Sequence, residues 1–426
     1  MPWDRFEPLK MMKKGKSEKN KTCIHRLAQD GHSHGSGIMN VDVKNGKIVR
    51  IRPLHYDQEY DPKEYRPWKI RARGKTFEPL SKNTTPPYCL AYKKRAYSPN
   101  RVKYPLKRVD WDPKGDRHPE NRGKSGYVRI RWDEALELIA SEIKRIKGKY
   151  GPYAILSQGD GHGETKTVHG PHGCQDKLLE LLGGYTKQYT HGDSCEGWYW
   201  GAKHAWGMDE NFGNQEELTN TILDVAENTD LLLNWSSDPE TTTWGLMADQ
   251  TPSRLLYWFS ELGIKQIYIC PDLNYAAAIH ADKWIPIRPN TDAALQLAIA
   301  YVWITKETYD KEYVETHTYG FEEFKKYVLG EEDNTPKTPE WAEKITGVPA
   351  RIIKPLAREW ASKRTSIMHG LGGGMIRGQY STEPGRLEVL LLAMQGIGKP
   401  GINQITTSLL GRVEPEPPGS LCMVAG

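Results

Sequence analysis

Apolar and polar positions change period several times along the chain, and each change marks a different kind of element. Residues 38–43 alternate weakly, Lys44-Asn45-Gly46-Lys47 supplies an Asn-Gly turn signal, and residues 48–52 resume the alternation, which predicts a β-hairpin. From His55 to Lys124 the pattern fades into Pro, Arg, Lys and Tyr, as expected of long irregular connections wrapped over a core. Helical spacing begins at Trp132 and runs to about Tyr150, with Leu136, Ile139, Ile143 and Ile146 on one face. A short apolar strand is predicted at residues 153–157 and a helix over 177–182. Buried strands follow at 230–235 and 265–270, with a helix between them over 253–262. Residues 291–305 form a strongly apolar helix with Asp292 in its first turn.

This alternation of strand and helix predicts an α/β fold: a doubly wound, mostly parallel, Rossmann-like sheet behind a small β-containing N-terminal region. The implied organisation is a basic tail over 1–22, strands and wrapping segments over 23–127, an α/β region over 128–411 and an irregular tail over 412–426.

Composition narrows the partners. Twenty-seven percent charged and 38% hydrophobic residues make an ordinary globular mixture. The net charge of +5 is concentrated in the first 22 positions, which hold seven basic and three acidic residues. The remaining chain is nearly neutral, which argues against nucleic acid as a partner. No apolar run reaches the ~20 residues that span a bilayer, and the tail has neither an apolar leader segment nor a twin-arginine pair. The six cysteines, at 23, 89, 174, 195, 270 and 422, have no framework spacing. A reducing, cytoplasmic setting is therefore expected.

In open parallel sheets, ligands sit at the carboxyl ends of the strands, so the loops there are the places to look for chemistry. Asn234-Trp235-Ser236-Ser237-Asp238-Pro239-Glu240 follows one predicted strand, and Cys270-Pro271-Asp272-Leu273-Asn274 follows the next. Hydroxyls and backbone N–H groups in such loops can hold phosphate, and a carboxylate can bind a ribose hydroxyl. Asp292 suits either a guanine edge or a helix N-terminus. Gly370-Leu371-Gly372-Gly373-Gly374 lets backbone approach a ligand closely. Singly, each of these is ordinary turn chemistry. Together they suggest a nucleotide-like cofactor, and the absence of G-x-G-x-x-G and G-x-x-x-x-G-K-[ST] disfavours simple NAD or ATP sites.

Three further stretches accompany these loops: Tyr104-Pro105-Leu106-Lys107-Arg108, Arg131-Trp132-Asp133-Glu134-Ala135 and Gly396-Ile397-Gly398-Lys399-Pro400-Gly401. With His191-Gly192-Asp193-Ser194-Cys195-Glu196-Gly197-Trp198, and in this order, they resemble the dimethyl sulfoxide reductase family of molybdopterin oxidoreductases. Within it, Trp68-Lys69-Ile70, Ala72-Arg73-Gly74-Lys75-Thr76-Phe77 and Tyr309-Asp310-Lys311-Glu312-Tyr313-Val314 are similar to the transhydroxylase-like branch. The likeness runs from about Gly37 to about Thr407 but reaches only the N-terminal half of the family's usual length; the family's C-terminal barrel-like domain is not matched.

The resemblance implies a bis-molybdopterin guanine dinucleotide cofactor holding molybdenum or tungsten, for hydroxyl or oxygen-atom transfer to a small-molecule substrate. It implies Ser194 as the protein ligand to the metal, with the thiolate of Cys195 as the rival that soft-ligand chemistry leaves open. It assigns proton handling to Asp193 and His162. It assigns the dinucleotide to Trp235, Ser236, Ser237, Asp238, Glu240, Asp272, Asn274, Asp292 and Gly373.

Where the branch carries an aromatic hydroxyl after the histidine, this chain has Gly170-Pro171, and Arg412-Val413-Glu414-Pro415-Glu416 replaces a later tyrosine-bearing stretch. Groups that position a phenol are therefore expected to be missing. Only Cys23 and Cys89 precede residue 170, too few for an iron–sulfur cluster. The expected partners are an iron–sulfur electron-transfer subunit and a second polypeptide supplying the C-terminal domain.

Two other readings compete. A zinc site could use His169, His172 and Cys174 with His162 or His191, or Cys23, His25, His32 and His34. Alternatively, the chain is a truncated, non-catalytic fragment of a pterin enzyme.

Overall fold

The computed structural model describes residues 20–27, 37–61, 63, 69–78, 80–82, 93–157, 174–187, 195–206, 218–240, 251–369 and 374–406. The predicted hairpin is present as β2 (Gly37–Lys44) and β3 (Lys47–Pro53), turning at Asn45 and Gly46, both with positive φ. A strand that the alternation did not announce, β1 (Asn20–Leu27), pairs antiparallel with β2 to make a three-stranded sheet. Residues 20–22 therefore belong to a strand rather than to a solvated tail. They are polar, and a strand with one wet face carries little apolar signal.

Among its described residues the irregular stretch holds only short elements, among them a helical turn at Tyr56–Glu59, a 3-10 turn at Pro119–Asn121 and two strand pairs that lie in it or begin in it. β4 (Ile70–Ala72) turns into β5 (Lys75–Phe77), and β6 (Leu106–Arg108) pairs with β7 (Tyr127–Arg129). α1 (Trp132–Tyr150) has the predicted bounds, and its N-terminus carries Asp133 and Glu134 where the helix dipole favours them. The shared apolar face is largely uncovered among the described residues. Leu136 and Ile139 are 58% and 57% exposed, Ile143 and Ile146 only half-buried, and the one buried residue of the helix is Ala135.

The strand expected over 153–157 is corrected. Pro152–Ala154 forms a 3-10 turn, since Pro152 fixes φ and has no N–H for a ladder. Only β8 (Leu156–Ser157) is extended, and it pairs in parallel with β9 (Thr186–Lys187) across α2 (Asp176–Leu181). This pair lies outside the main sheet.

α3 (Cys195–Trp206) and α4 (Leu218–Asn228) lead into the main sheet. There β10 (Leu231–Trp235), α5 (Thr251–Glu261), β11 (Lys265–Ile269), α6 (Tyr275–His280), β12 (Lys283–Ile285) and α7 (Asp292–Lys306) alternate. Four helices follow, α8 (Lys311–His317), α9 (Phe321–Leu329), α10 (Pro339–Thr346) and α11 (Ala350–Ala361). β13 (Thr365–His369), α12 (Thr382–Ala393) and β14 (Gln404–Thr406) complete the described chain. The five strands run parallel in the order β12-β11-β10-β13-β14.

Both faces of this sheet are covered. Leu231, Leu233 and Trp235 of β10 join Ile267, Ile269 and Ile367 in a core filled by α7, α11 and α12. Leu232, Met368 and Ile405 point the other way, into a second core with α4, α5 and the β4–β5 hairpin. Every residue of β10 is buried, as the near-continuous apolar run of a central parallel strand requires.

Candidate functional site at the carboxyl edge of the sheet

Because the strands are parallel, their carboxyl ends share one edge, and the predicted loops gather there. β10 ends at Trp235, whose side chain is fully buried and whose Nε1–H donates to Asp292 Oδ1 at 2.8 Å. This bond ties the end of β10 to the start of α7. Asp292 is 2% exposed, and burial pushes its carboxyl up to about 6, against the downward pull of the indole N–H.

After Trp235 the chain turns through Ser236, a non-glycine residue at φ +50°. The hydroxyls of Ser236 and Ser237 are both buried and have no hydrogen-bond partner among the described residues. A Cβ built on Gly374, just past the end of β13, would lie 3.8 Å from Ser236 Oγ, so the Gly-rich loop and the serine loop are neighbours.

Three links join the 235–240 loop to α6. Asn274 Nδ2 donates to the Ser237 carbonyl at 3.1 Å, while its Oδ1 caps α6 by accepting from Ala277 N at 2.8 Å. Asp238 Oδ1 accepts from Ala276 N at 3.1 Å. Glu240 Oε1 lies 2.7 Å from His280 Nε2. The candidate ligand residues thus divide. Trp235, Asp238, Glu240 and Asn274 hold the loops together, whereas the two serine hydroxyls and the exposed Asp272 carboxylate have no side-chain hydrogen bond among the described residues. Asp272 does serve locally through its carbonyl, which accepts from Cys270 Sγ at 3.2 Å. Cys270 is buried, and burial beside Asp272 lifts its thiol to about 12, so it is inert as a nucleophile.

The octapeptide enters through its helix. Cys195 opens α3, which packs against the start of α12 and touches the Gly374–Ile376 turn. Gly197 and Gly201 make the contact with α12. A Cβ on Gly197 would stand 3.0 Å from Ser381 Oγ, and one on Gly201 would collide with the Thr382 carbonyl and the Arg386 nitrogen. His162, Asp193, Ser194 and Gly373 lie outside the described residues, as does the side chain of Cys195. Of the zinc candidates, Cys174 is exposed and Cys23 half-buried. Among the described residues no three His, Cys, Asp or Glu side chains group as metal ligands.

Two residues with large roles carried no sequence signal. His280 closes an alanine-rich helix and reads as an ordinary surface residue. Arg73, in the β4–β5 turn at φ +49°, donates to the carbonyls of Glu227, Thr229 and Leu262, closing the C-terminal ends of α4 and α5. Part of the motif that resembled the family is therefore structural.

A family model described as molybdopterin oxidoreductase matches residues 101–409, and one described as pyrogallol hydroxytransferase large subunit-like, domain 1, matches residues 37–95. The chain is 42% identical over 388 residues to the pyrogallol hydroxytransferase large subunit of Pelobacter acidigallici, covering 88% of this chain and 44% of that protein. It is 33% identical over 339 residues to the dimethyl sulfoxide/trimethylamine N-oxide reductase of Rhodobacter capsulatus, covering 77% and 40%. Acetylene hydratase from Pelobacter acetylenicus aligns in structure with a TM-score of 0.43 and 24% identity, covering 77% and 41%. The chain thus spans less than half the length of the relatives it matches.

Proposed function

The chain belongs to the molybdopterin oxidoreductase family, and from that premise we propose that it binds a molybdenum or tungsten bis-pterin guanine dinucleotide and serves hydroxyl or oxygen-atom transfer. The observation that carries the dinucleotide is the pair of buried hydroxyls on Ser236 and Ser237, without hydrogen-bond partners among the described residues, the first of them beside Gly374. A buried hydroxyl without a partner costs about 1–3 kcal/mol, and phosphate oxygens at this edge would remove that cost.

Ser236 and Ser237 bind phosphate, with Gly373 giving the backbone room. Asp272 takes a ribose hydroxyl, and Asp292 accepts from a guanine edge with the oxygen that Trp235 leaves free. Trp235, Asp238, Glu240 and Asn274 shape the loops. Ser194 ligates the metal, and Asp193 and His162 hold and move protons at the substrate. When bound, the metal centre supplies the two-electron chemistry of group transfer. The finer sheet reading, a doubly wound Rossmann-like domain, fits the two covered faces of the parallel sheet.

Partners belong to the proposal too. The name of the 42%-identical relative includes "large subunit", which supports a smaller partner subunit; we propose that this partner carries the iron–sulfur clusters and that the site is cytoplasmic. The short coverage of the relatives favours a catalytic unit that includes further polypeptide, in the same chain or a second one.

Metal analysis tests the reading: molybdenum or tungsten with a fluorescent pterin oxidation product is expected from the isolated protein. Zinc alone would overturn it. Ser194→Ala is expected to abolish turnover while Cys195→Ala retains metal; the reverse pattern would move the ligand to Cys195.

A further inference from the structure

Behind the 235–240 loop lies a buried ionisable pair that the proposed cofactor contacts do not use. The His280 side chain is 1% exposed and that of Glu240 12%, with Nε2 and Oε1 2.7 Å apart. The ring of Tyr257, from α5, meets the imidazole edge-on with centroids 4.5 Å apart. Around them, Tyr268, Cys270, Ala276 and Ala277 form a small apolar cluster in which a leucine pair would pack without the desolvation that a His–Glu pair suffers. Stability alone does not explain such a pair, and geometry supplies a reason. His280 is the last residue of α6, and Glu240 lies five residues past the end of β10. Asn274 and Asp238 already bind the near parts of the same two segments. Among the described residues the pair adds a third tie between the loop and α6.

We infer that His280 is a positioning residue for the dinucleotide site. By holding Glu240 it fixes the loop that carries the Ser236 and Ser237 hydroxyls, and Glu240 acts through this bond rather than on the ligand. The inference rests on the proposed dinucleotide reading. Its claim is separate: a residue that never touches the ligand sets the affinity of the site.

The test titrates guanosine diphosphate into the cofactor-free full chain by calorimetry, with thermal melting in parallel. His280→Leu is expected to weaken binding about tenfold, which is about 1.4 kcal/mol. His280→Gln, which keeps an N–H donor for Glu240, is expected to recover most of that loss. Glu240→Leu should weaken binding as much as His280→Leu does, and the double variant no more than either. Unchanged affinity in a folded His280→Leu would overturn the inference, as would failure of the Gln variant to rescue or additive losses in the double variant. If His280→Leu does not fold, the comparison of His280→Gln with Glu240→Met, which keeps the side-chain length but removes the acceptor oxygens, decides in the same way: near-wild-type binding in the first and a clear loss in the second supports the tie, and equal binding in both overturns it. Absence of diphosphate binding to the wild-type chain would instead remove the dinucleotide reading on which the inference stands.

Discussion

Ser236 and Ser237 keep their hydroxyls buried without partners among the described residues, and Ser236 does so in a left-handed backbone conformation that serine seldom adopts. Such a site is maintained at a cost to the free protein. Ser237→Ala should therefore leave the melting temperature of the cofactor-free chain unchanged or raise it, while lowering guanosine diphosphate affinity; a drop in melting temperature would mean that the hydroxyl already has a structural partner. Asp292 makes the same point through charge. Its folded-state value of about 6 exceeds the usual 3.8, so this group stabilises the fold fully only below about 3.8, and that contribution is lost as pH rises through 6. In the cofactor-free chain, Asp292→Asn, which keeps an acceptor for Trp235, should be more stable than wild type at pH 7.5 by up to about 3 kcal/mol. That difference should vanish towards pH 4, as denaturant unfolding at the two pH values would measure. Binding runs the other way, because a guanine edge needs the ionised carboxylate: affinity should fall below about pH 6. All three residues stand out in the sequence because they follow a strand or open a helix. His280 and Arg73 do not, because their partners lie 40 or more than 150 positions away, and no local period records a contact of that range.

At the scale of elements, period-based reading succeeded where an element is long and fully buried, as for β10, β11 and α7, and faltered at short or half-wet pieces such as β1 and β8. α1 is the instructive case. Its helical spacing is plain, but spacing shows only that apolar residues share a face, not what covers that face. In the isolated chain Leu136→Ala should therefore cost less than about 0.5 kcal/mol, whereas a buried leucine would lose about 2–5 kcal/mol; chemical denaturation separates the two. The α3–α12 contact behaves differently. Gly197 and Gly201, four apart, let the backbone of α12 approach α3 too closely for any side chain. Gly201→Ala should cost about 1–3 kcal/mol or more through overpacking, and it should shift the helix that follows Ser194, so metal content should fall together with stability. Full metal content in a stable Gly201→Ala variant would show that the contact does not place the ligand.

The molecule as a whole is organised by one sheet and one edge. Parallel strands bring loops from residues 236, 270, 287 and 374 to a common side, which is why the position of the candidate site is legible from strand order and loop composition. The position of the loops was readable, whereas the division of labour within them was not: it depends on which polar atoms the fold itself consumes.

β10 gives this arrangement a consequence for sequence change. Its successive residues feed two different cores: Leu231, Leu233 and Trp235 on one side and Leu232 on the other. A single-residue insertion or deletion within it would exchange the two sets at once and send the Asp292-binding indole into the wrong half of the molecule. Length variation in this family of chains should therefore collect in the connections at the opposite edge of the sheet, and a scanning library of one-residue deletions should show a sharp gap across residues 231–235.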